Sequence, residues 1–235
     1  MIDSFVALDL ETTGVAPASD RIIEIGAIKV INGIETGRFS TFINPRMVIP
    51  DRITDITGID KSMVKDAPVI DEVLEDLMSF CEGLPLLGHN IIFDYSFLKT
   101  ACVNRGYQFE KDGIDTLKLA RKFLPDLPSK RLEELCKYFE IDAGHSHRAY
   151  DDARSAWKLY EKLCEQNSEN AEVDKVIKLE YSIKKKSPIT PAQIKYLSGL
   201  IKKHHIVPDA EIESLTKNDA SRMIDRILSS YGREG

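Results

Sequence analysis

The residues best suited to chemistry stand at the end of an apolar run near the N-terminus. Residues 5–14, FVALDLETTG, place two acids, Asp9 and Glu11, two positions apart. Side chains at positions i and i+2 of a strand share a face, so these carboxylates are expected side by side. Neighbouring carboxylates raise each other's pKa unless a cation shares their charge, and such oxygen ligands suit Mg²⁺ or Mn²⁺. The alternative is an edge strand with both acids in water, but the apolar residues 6–8 favour a buried parallel strand, whose C-terminal end is where sites gather.

Two later segments carry further candidate residues. Residues 84–88, LPLLG, predict a short buried strand that leads to His89 and Asn90, and then to Asp94 at the start of a helix. Residues 144–152, GHSHRAYDD, lead into another predicted helix, with His147 in the loop and Asp152 in the first turns. Each also has an ordinary explanation: Asp94 as a helix cap, Asp152 as a partner of the helix dipole, and His147 as a loop histidine in solvent.

The periodicity of the rest of the chain predicts an α/β fold. Alternating residues at 22–31 and 36–43, separated by the turn signal Asn32-Gly33, extend the first strand into a three-stranded antiparallel meander. Two short strands follow at 84–88 and 113–116. Apolar residues at helical spacing predict helices at 53–59, 69–81, 94–105, 131–139 and 149–164, and one more that follows the strand at 113–116 and ends at residue 123.

Composition narrows the class of protein. The chain has 235 residues and 43% hydrophobic residues, enough for one substantial α/β domain and a small appendage. Neither a signal peptide nor an apolar run of roughly 18 residues is present, so a cytoplasmic location without membrane contact is expected. The four cysteines contain no Cys-x-x-Cys pair to hold zinc and are predicted to be reduced thiols.

The charge is unevenly distributed along the chain. The formal net charge is −6, yet from Lys184 to the C-terminus seven Lys and three Arg outnumber six acids. We expect residues 167–187 to form a linker with a candidate short helix, and residues 188–235 a small helical hairpin that begins its helices at Thr190-Pro191 and Thr216. Its cations could bind a phosphate backbone, form a solvated basic face, or meet a protein partner; they are Lys195, Lys202, Lys203, Arg222 and Arg226.

Three motifs, in this order, resemble those of the DEDDh 3′–5′ exonucleases. They are Asp-x-Glu-Thr-Thr-Gly at 9–14, His-Asn-x-x-Phe-Asp at 89–94 and His-x-x-x-x-Asp at 147–152. Within that family the sequence is most similar to the proofreading exonuclease subunit or domain of bacterial DNA polymerase III, and ITGI at 56–59 and IDTL at 114–117 add to the likeness. The resemblance covers residues 1–166, the predicted exonuclease domain. It implies a ribonuclease-H-like fold, a mixed five-stranded sheet flanked by helices.

The resemblance also implies a role for each acid. Asp9, Glu11, Asp94 and Asp152 match the family's metal-binding carboxylates, and His147 matches its catalytic histidine. Two divalent cations, Mg²⁺ or Mn²⁺, are therefore expected, with Asp9 bridging them. His147 is expected to be the general base, because the ordinary pKa of histidine, about 6.5, lies near working pH.

Other positions match residues around the terminal nucleotide in that family. Phe93 is expected to pack rather than to contact substrate, and His145 is a poorer candidate for the base because Tyr150 stands five residues on. The positions expected to bind substrate are Thr12, Thr13, His89 and Asn90.

The implied activity is removal of nucleotides from the 3′ end of DNA by two-metal-ion phosphodiester hydrolysis, in replication proofreading or repair. The expected partners are a nucleic acid with a free 3′ end, single-stranded DNA foremost, and a polymerase or repair protein bound through the C-terminal helices. An RNA-trimming exoribonuclease of the same fold is the main alternative, because the sequence does not show how a 2′-OH is treated. A non-catalytic nucleic-acid-binding module is a weaker one.

Overall fold

A computed structural model describes residues 1–144, 147–183, 188–206, 208 and 211–232. The chain divides into two units, Met1–Tyr181 and Ser182–Gly235. The first unit extends beyond residue 166, where the sequence predicts a linker to begin. Val173 and Leu179 explain the difference, because both are buried in the cores of the first unit. His145, the poorer candidate for the base, and residues 184–187 of the predicted linker lie outside the described residues.

One mixed sheet runs through the first unit. Its strand order is β3-β2-β1-β4-β5-β6. The meander β1–β2–β3 is antiparallel, as predicted, and β4 runs parallel to both β1 and β5. The strands are β1 (Phe5–Thr12), β2 (Ile22–Ile31), β3 (Ile34–Phe42), β4 (Leu86–Gly88), β5 (Asp112–Asp115) and β6 (Ile177–Lys178).

The predicted fold class is confirmed, but the predicted number of five strands is wrong. The sixth strand, β6, pairs antiparallel with β5 at the edge of the sheet. It has two residues, and two residues cannot show the alternation by which a strand is recognised in a sequence. It lies in the segment predicted as a linker.

The helices of the first unit begin and end close to the predicted positions. The short helix α2 was not predicted; Asp60 caps it by accepting hydrogen bonds from two backbone N–H groups. No helix in the described part of the chain is both long and apolar enough to cross a membrane. The helices are α1 (Asp51–Thr57), α2 (Lys61–Val64), α3 (Ile70–Phe80), α4 (Ile92–Asn104), α5 (Thr116–Phe123), α6 (Leu132–Tyr138) and α7 (Ala149–Gln166).

The two faces of the sheet bury separate cores, and this decides where the first motif points. Val6, Leu8 and Leu10 of β1 pack toward α3 and α4, whereas Phe5 and Ala7 pack toward α7. Because side chains alternate along a strand, the residues that follow Ala7 on its face are the two acids of β1. The strand therefore carries its carboxylates to the α7 side, just beyond the end of the core.

The second unit is a pair of capped helices, α8 (Pro191–Lys203) and α9 (Lys217–Tyr231). Thr190 Oγ1 accepts a hydrogen bond from the Gln193 N–H (3.2 Å), and Thr216 Oγ1 accepts one from the Asp219 N–H (3.2 Å). These are the predicted helix starts. The helices bury a small core of their own, made of Ile189, Leu197, Leu200, Ala220 and Ile227.

Candidate active site

A cleft of about 400 Å³ opens where the end of β1 meets α4, α6 and the start of α7. The structure brings into it all five residues predicted to be catalytic, together with His89 and Asn90. Thr12 and Thr13, the other two predicted contacts, do not line it. The lining residues are Asp9, Leu10, Glu11, His89, Asn90, Phe93, Asp94, Arg131, Leu132, Glu133, His147 and Asp152.

A glycine in β2 allows α7 to reach the acids of β1. Gly26 lies opposite Asp9 in the β1–β2 register. A Cβ at Gly26 would lie 2.1 Å from the Ala149 carbonyl carbon and from the Tyr150 nitrogen, both backbone atoms. The missing side chain therefore lets the first turn of α7 lie directly against the sheet. Asp152, in that turn, is thereby placed beside the acids of β1.

Asp94 is held by the backbone of β1. It lies in the first turn of α4 and is almost fully buried. The short strand β4 pairs with β1 at Val6 and Ala7, short of Leu10. The Leu10 N–H instead donates to Asp94 Oδ1 at 3.0 Å. A backbone group beyond the end of the strand ladder thus fixes a carboxylate at the floor of the cleft.

His147 and Asp152 are linked through the backbone. The His147 N–H donates to Asp152 Oδ2 at 2.9 Å. His147 has φ 63°, in the left-handed region, so the chain turns sharply just before α7 begins. The imidazole is exposed while Asp152 is partly buried. The turn places the histidine at the rim of the cleft, above the carboxylates.

The carboxylates disfavour one another's ionisation. Desolvation, followed by the charges of Asp94, Asp152 and Glu11, raises the pKa of Asp9 well above its usual value, and burial does the same for Asp94. Burial and the Asp152 charge raise the pKa of Glu11 to about 8. Burial raises the pKa of Asp152 to about 6, although the hydrogen bond from His147 opposes this rise. Four ionised carboxylates in this space require a cation.

The donor set fits a divalent metal ion. Glu11, His147 and Asp152 each offer a ligand atom, and these atoms lie within 4.8 Å of one another. Asp9 and Asp94 line the same cleft outside this closer group. Carboxylate oxygens are the ligands that Mg²⁺ and Mn²⁺ prefer, and raised pKa values are what a bound cation would reverse.

An ion pair that the sequence motifs did not predict holds the start of α7 against β2 beside the site. Glu24 of β2 is opposite Glu11 in the sheet register and is 3% exposed. Arg148, one residue before α7, donates to it from Nη2 (2.9 Å) and Nε (3.2 Å). The Ala149 N–H donates to the same carboxylate at 3.2 Å. Arg148 also lowers the pKa of Glu11 against the larger effects of burial and the neighbouring acids. The burial of Glu24 is known only from the structure, and the 124 positions between the two residues hide their pairing in the sequence.

His89 is a structural part of the cleft wall. Its Nε2 is 2.7 Å from the Lys130 carbonyl oxygen, and its Nδ1 is 2.9 Å from Thr116 Oγ1. The carbonyl can only accept, so Nε2 carries the proton and the ring ties the segment before α6 to the end of β4. Burial lowers the pKa of His89, which keeps it neutral. The residue after Lys130, Arg131, lines the cleft as well.

Asn90 has a freer side chain than His89. Asn90 has a backbone φ of 72° and is exposed where it lines the cleft. Its backbone N–H donates to Asp115 Oδ1 at 3.1 Å, and the same carboxylate caps α5. Phe93, which also lines the cleft, packs against Phe97 with ring centroids 5.1 Å apart, so it combines the expected packing role with a place in the wall.

Thr12 and Thr13 hold the loop after β1. Thr12 Oγ1 donates to the Gly14 carbonyl oxygen at 2.6 Å, and Thr13 Oγ1 accepts from the Arg21 N–H at 2.9 Å. Both residues are buried. Their hydroxyls are engaged with the protein, and their contact with a nucleotide stays a prediction.

The sequence is similar to those of known exonucleases and DNA polymerase III proteins. A family model described as "Exonuclease" (RNase_T) matches residues 6–160. The DNA polymerase III PolC-type protein of Caldanaerobacter subterraneus is 43% identical over 165 residues, which cover 70% of this chain but 12% of that protein. The DNA polymerase III subunit epsilon of Aquifex aeolicus is 35% identical over 164 residues, covering 69% of this chain and 81% of that one.

Solved structures share the fold at lower identity. Exonuclease I of E. coli, solved in complex with a dA16 oligonucleotide, superposes with a TM-score of 0.65 and 20% identity, over 74% of this chain and 42% of that one. The nuclease domain of 3′hExo, described as a DEDDh family member bound to rAMP, gives a TM-score of 0.62 and 19% identity, over 76% of this chain and 98% of that domain.

Proposed function

Because the chain belongs to the exonuclease family whose model spans residues 6–160, we propose that it removes nucleotides one after another from the 3′ end of DNA. Its class, a 3′–5′ exonuclease, is the one predicted from the sequence. The observation that carries the proposal is the gathering of Asp9, Glu11, Asp94 and Asp152 in one cleft with His147 at its rim. Such a cleft attracts cations, and a phosphodiester needs its charge neutralised before water can attack it.

The four acids are the proposed ligands of two divalent cations, Mg²⁺ or Mn²⁺. When bound, the cations would neutralise the phosphodiester and acidify the attacking water. The raised pKa values of Glu11 and Asp152 support this assignment, because a bound cation would favour the ionised form of carboxyl groups that burial and neighbouring charges keep from ionising. Glu11 and Asp152 each offer a ligand atom within 4.8 Å of the other, and Asp94 reaches the cleft from α4.

His147 is the proposed general base. It accepts the proton of the attacking water as the new P–O bond forms and the bond to the 3′ oxygen breaks. Its exposure allows that proton to pass on to solvent. Its hydrogen bond to Asp152 holds the backbone rather than the imidazole, so the ring keeps both nitrogens for chemistry.

The walls of the cleft are proposed to bind the end of the strand. Asn90 offers an amide at the surface, Phe93 an aromatic ring, and Arg131 a cation for a phosphate. Thr12 and Thr13 contribute by holding the loop that follows β1. A cleft of about 400 Å³ accommodates one or two nucleotides, which favours action at an end over action within a duplex.

Replication proofreading or repair is the proposed setting. The chain spans about an eighth of the length of the PolC-type relatives, so their polymerase activity is not carried over to it. Likeness to an epsilon subunit supports a polymerase or repair protein as partner. It also supports a cytoplasmic location, since both relatives are bacterial DNA polymerase III proteins.

A time course on labelled strands tests the proposed function. Single-stranded DNA and RNA of one sequence, each labelled at the 5′ end or at the 3′ end, are digested with Mg²⁺, Mn²⁺ or EDTA. The proposal predicts a ladder from the 5′-labelled DNA, immediate release of mononucleotide from the 3′-labelled DNA, and no reaction in EDTA. Faster digestion of RNA would make an exoribonuclease the better description, and release from the 5′ end would overturn the assignment.

A further inference from the structure

The second unit contains a groove that the proposed nuclease chemistry does not use. It has a volume of about 770 Å³ and is lined by one face of α8 and the end of α9. Leu200 and Leu228 contribute its apolar surface. Gly199 also lines it, and a Cβ built there would meet no atom within 4 Å, so the space beside this residue is open.

Aromatic rings stand at the groove in positions suited to stacking. Tyr196 lines it and is 52% exposed. His204 also lines it and stacks on Tyr231, with centroids 4.4 Å apart and an interplanar angle of 22°. Tyr231 is itself 54% exposed. Exposed rings on a helical hairpin contribute little to the stability of its fold, but each can stack on an unpaired base.

The charge of the groove is positive. Lys195 and Lys203 line it, and the described lining residues include no acid. The other three cations noted in the sequence do not line it: Lys202, Arg222 and Arg226. Arg226 lies two positions before Leu228, which places it about 200° around α9 from the groove. The groove therefore combines cations and rings on one side of the unit.

We propose that this groove binds single-stranded DNA. Unpaired bases would stack on Tyr196 and on the His204–Tyr231 pair, while Lys195 contacts a phosphate. A duplex fits less well, because its bases are already stacked on one another. The inference rests on the proposed function only for its choice of DNA, and it gives the enzyme a second hold on its substrate.

Binding in EDTA measures the groove without strand cleavage. Anisotropy of a labelled single strand would be followed with the full chain and with Tyr196→Ala, Tyr196→Phe and Tyr138→Ala. Loss of one stacking ring weakens binding by about tenfold in Tyr196→Ala. Tyr196→Phe keeps the ring and should bind like the wild type. Tyr138 is 54% exposed in the first unit and serves as the matched control, with unchanged affinity expected.

The salt dependence separates a phosphate contact in the groove from general positive charge. Lys195→Gln and Arg226→Gln remove the same charge from the same unit on different sides. A plot of log association constant against log salt concentration has a negative slope. In Lys195→Gln this slope should become less steep by about 0.7, the contribution of one phosphate contact on a single strand. Arg226→Gln should keep the wild-type slope. Equal changes in both variants would overturn a site in the groove.

A small substrate distinguishes failure of the groove from failure of the nuclease site. Hydrolysis of the p-nitrophenyl ester of thymidine 5′-phosphate requires only the cleft of the first unit. Tyr196→Ala should hydrolyse it at the wild-type rate while binding strands more weakly. Wild-type strand affinity in Tyr196→Ala, with photo-crosslinks of a 5-iodouracil strand confined to the first unit, would overturn the groove. Absence of ester hydrolysis by the wild type would count against the proposed function instead.

Discussion

Arg148 and Glu24 fasten the beginning of α7 to the second strand of the sheet. The Arg148 guanidinium donates from Nη2 and Nε to a carboxylate that is 3% exposed, and the Ala149 N–H donates to it as well. Asp152 and His147 flank this attachment on the chain. The pair therefore sets the distance between the acid of α7 and those of β1, although neither member lines the cleft.

Replacing Arg148 should harm both folding and activity. In Arg148→Met the buried Glu24 loses its charged partner, which costs about 1–3 kcal/mol of unfolding free energy. Movement of α7 should lower kcat by roughly 10- to 100-fold, because small displacements of catalytic groups reduce the reaction rate strongly. Urea denaturation and single-strand hydrolysis measure the two effects.

The double variant Glu24→Leu/Arg148→Met is the control. It removes the stranded charge and should regain part of the lost stability, since apolar pairs often replace buried ion pairs at little cost. If the single variant is as stable as the wild type, the pair does not brace α7.

Gly26→Ala should disable the enzyme without touching an acid. The new Cβ would meet the backbone of Ala149 and Tyr150 at 2.1 Å, so α7 has to move away from the sheet. We expect a loss of at least about 2 kcal/mol of stability, typical of overpacking, and a larger fall in kcat than in KM.

Gly37→Ala provides the comparison on the neighbouring strand. There the nearest atom is the edge of the Phe80 ring at 3.2 Å, which can shift. Circular dichroism and hydrolysis should show this variant close to the wild type. Full activity in Gly26→Ala would show that the close approach of α7 is not needed.

His147 should be replaceable without loss of the fold. His147→Ala is expected to lower kcat by roughly 10²–10⁴-fold, the usual value of a general base. His147→Asn is the better test of chemistry, because asparagine tolerates the left-handed conformation at φ 63°. Both should melt near the wild-type temperature, and near-wild-type kcat in both would reject His147 as the base.

The stability of the metal-free protein should fall as the pH rises. The folded-state pKa of Glu11, about 8, lies above its ordinary value of 4.5, so the folded protein binds this proton more tightly than the unfolded chain. Stability is therefore full below the ordinary pKa and declines as the pH rises toward 8. Melting in EDTA from about pH 5, just above the ordinary pKa, to about pH 8.5, just above the folded-state pKa, should show the decline.

Two controls separate this effect from general pH sensitivity. Glu11→Gln cannot ionise and should show a shallower decline in EDTA. Mg²⁺ added to the wild type at the high end of the range should raise the melting temperature, because a ligand of the folded state stabilises it. Equal slopes in Glu11→Gln and wild type would contradict the assignment.

Local sequence patterns predicted most of the first unit and the helix starts of the second. The alternation of β1 and the length of its apolar run placed Asp9 and Glu11 on one face, as observed at the cleft. Caps at Thr190 and Thr216 gave the starts of α8 and α9. These features depend on neighbours within a few residues, which a sequence displays directly.

Features that depend on distant partners were not predictable. β6 has no pattern of its own and exists because β5 offers an open edge. The pairing of Glu24 with Arg148 spans 124 positions, and either residue alone resembles an ordinary surface charge. The hydrogen bonds of the Thr12 and Thr13 hydroxyls within the loop after β1 depend on how that loop folds back to Arg21, which the sequence does not show.

The most direct test of the account is the effect of Asp9→Asn on metal-dependent hydrolysis. Asp9 lies between the acids of α4 and α7 and feels the charges of both. Wild type and variant would be compared on a 5′-labelled single strand with Mg²⁺ and with EDTA, after melting curves have shown that both are folded. The account predicts stepwise shortening from the 3′ end by the wild type with Mg²⁺ alone and none by Asp9→Asn. Undiminished, metal-dependent shortening by Asp9→Asn would contradict it.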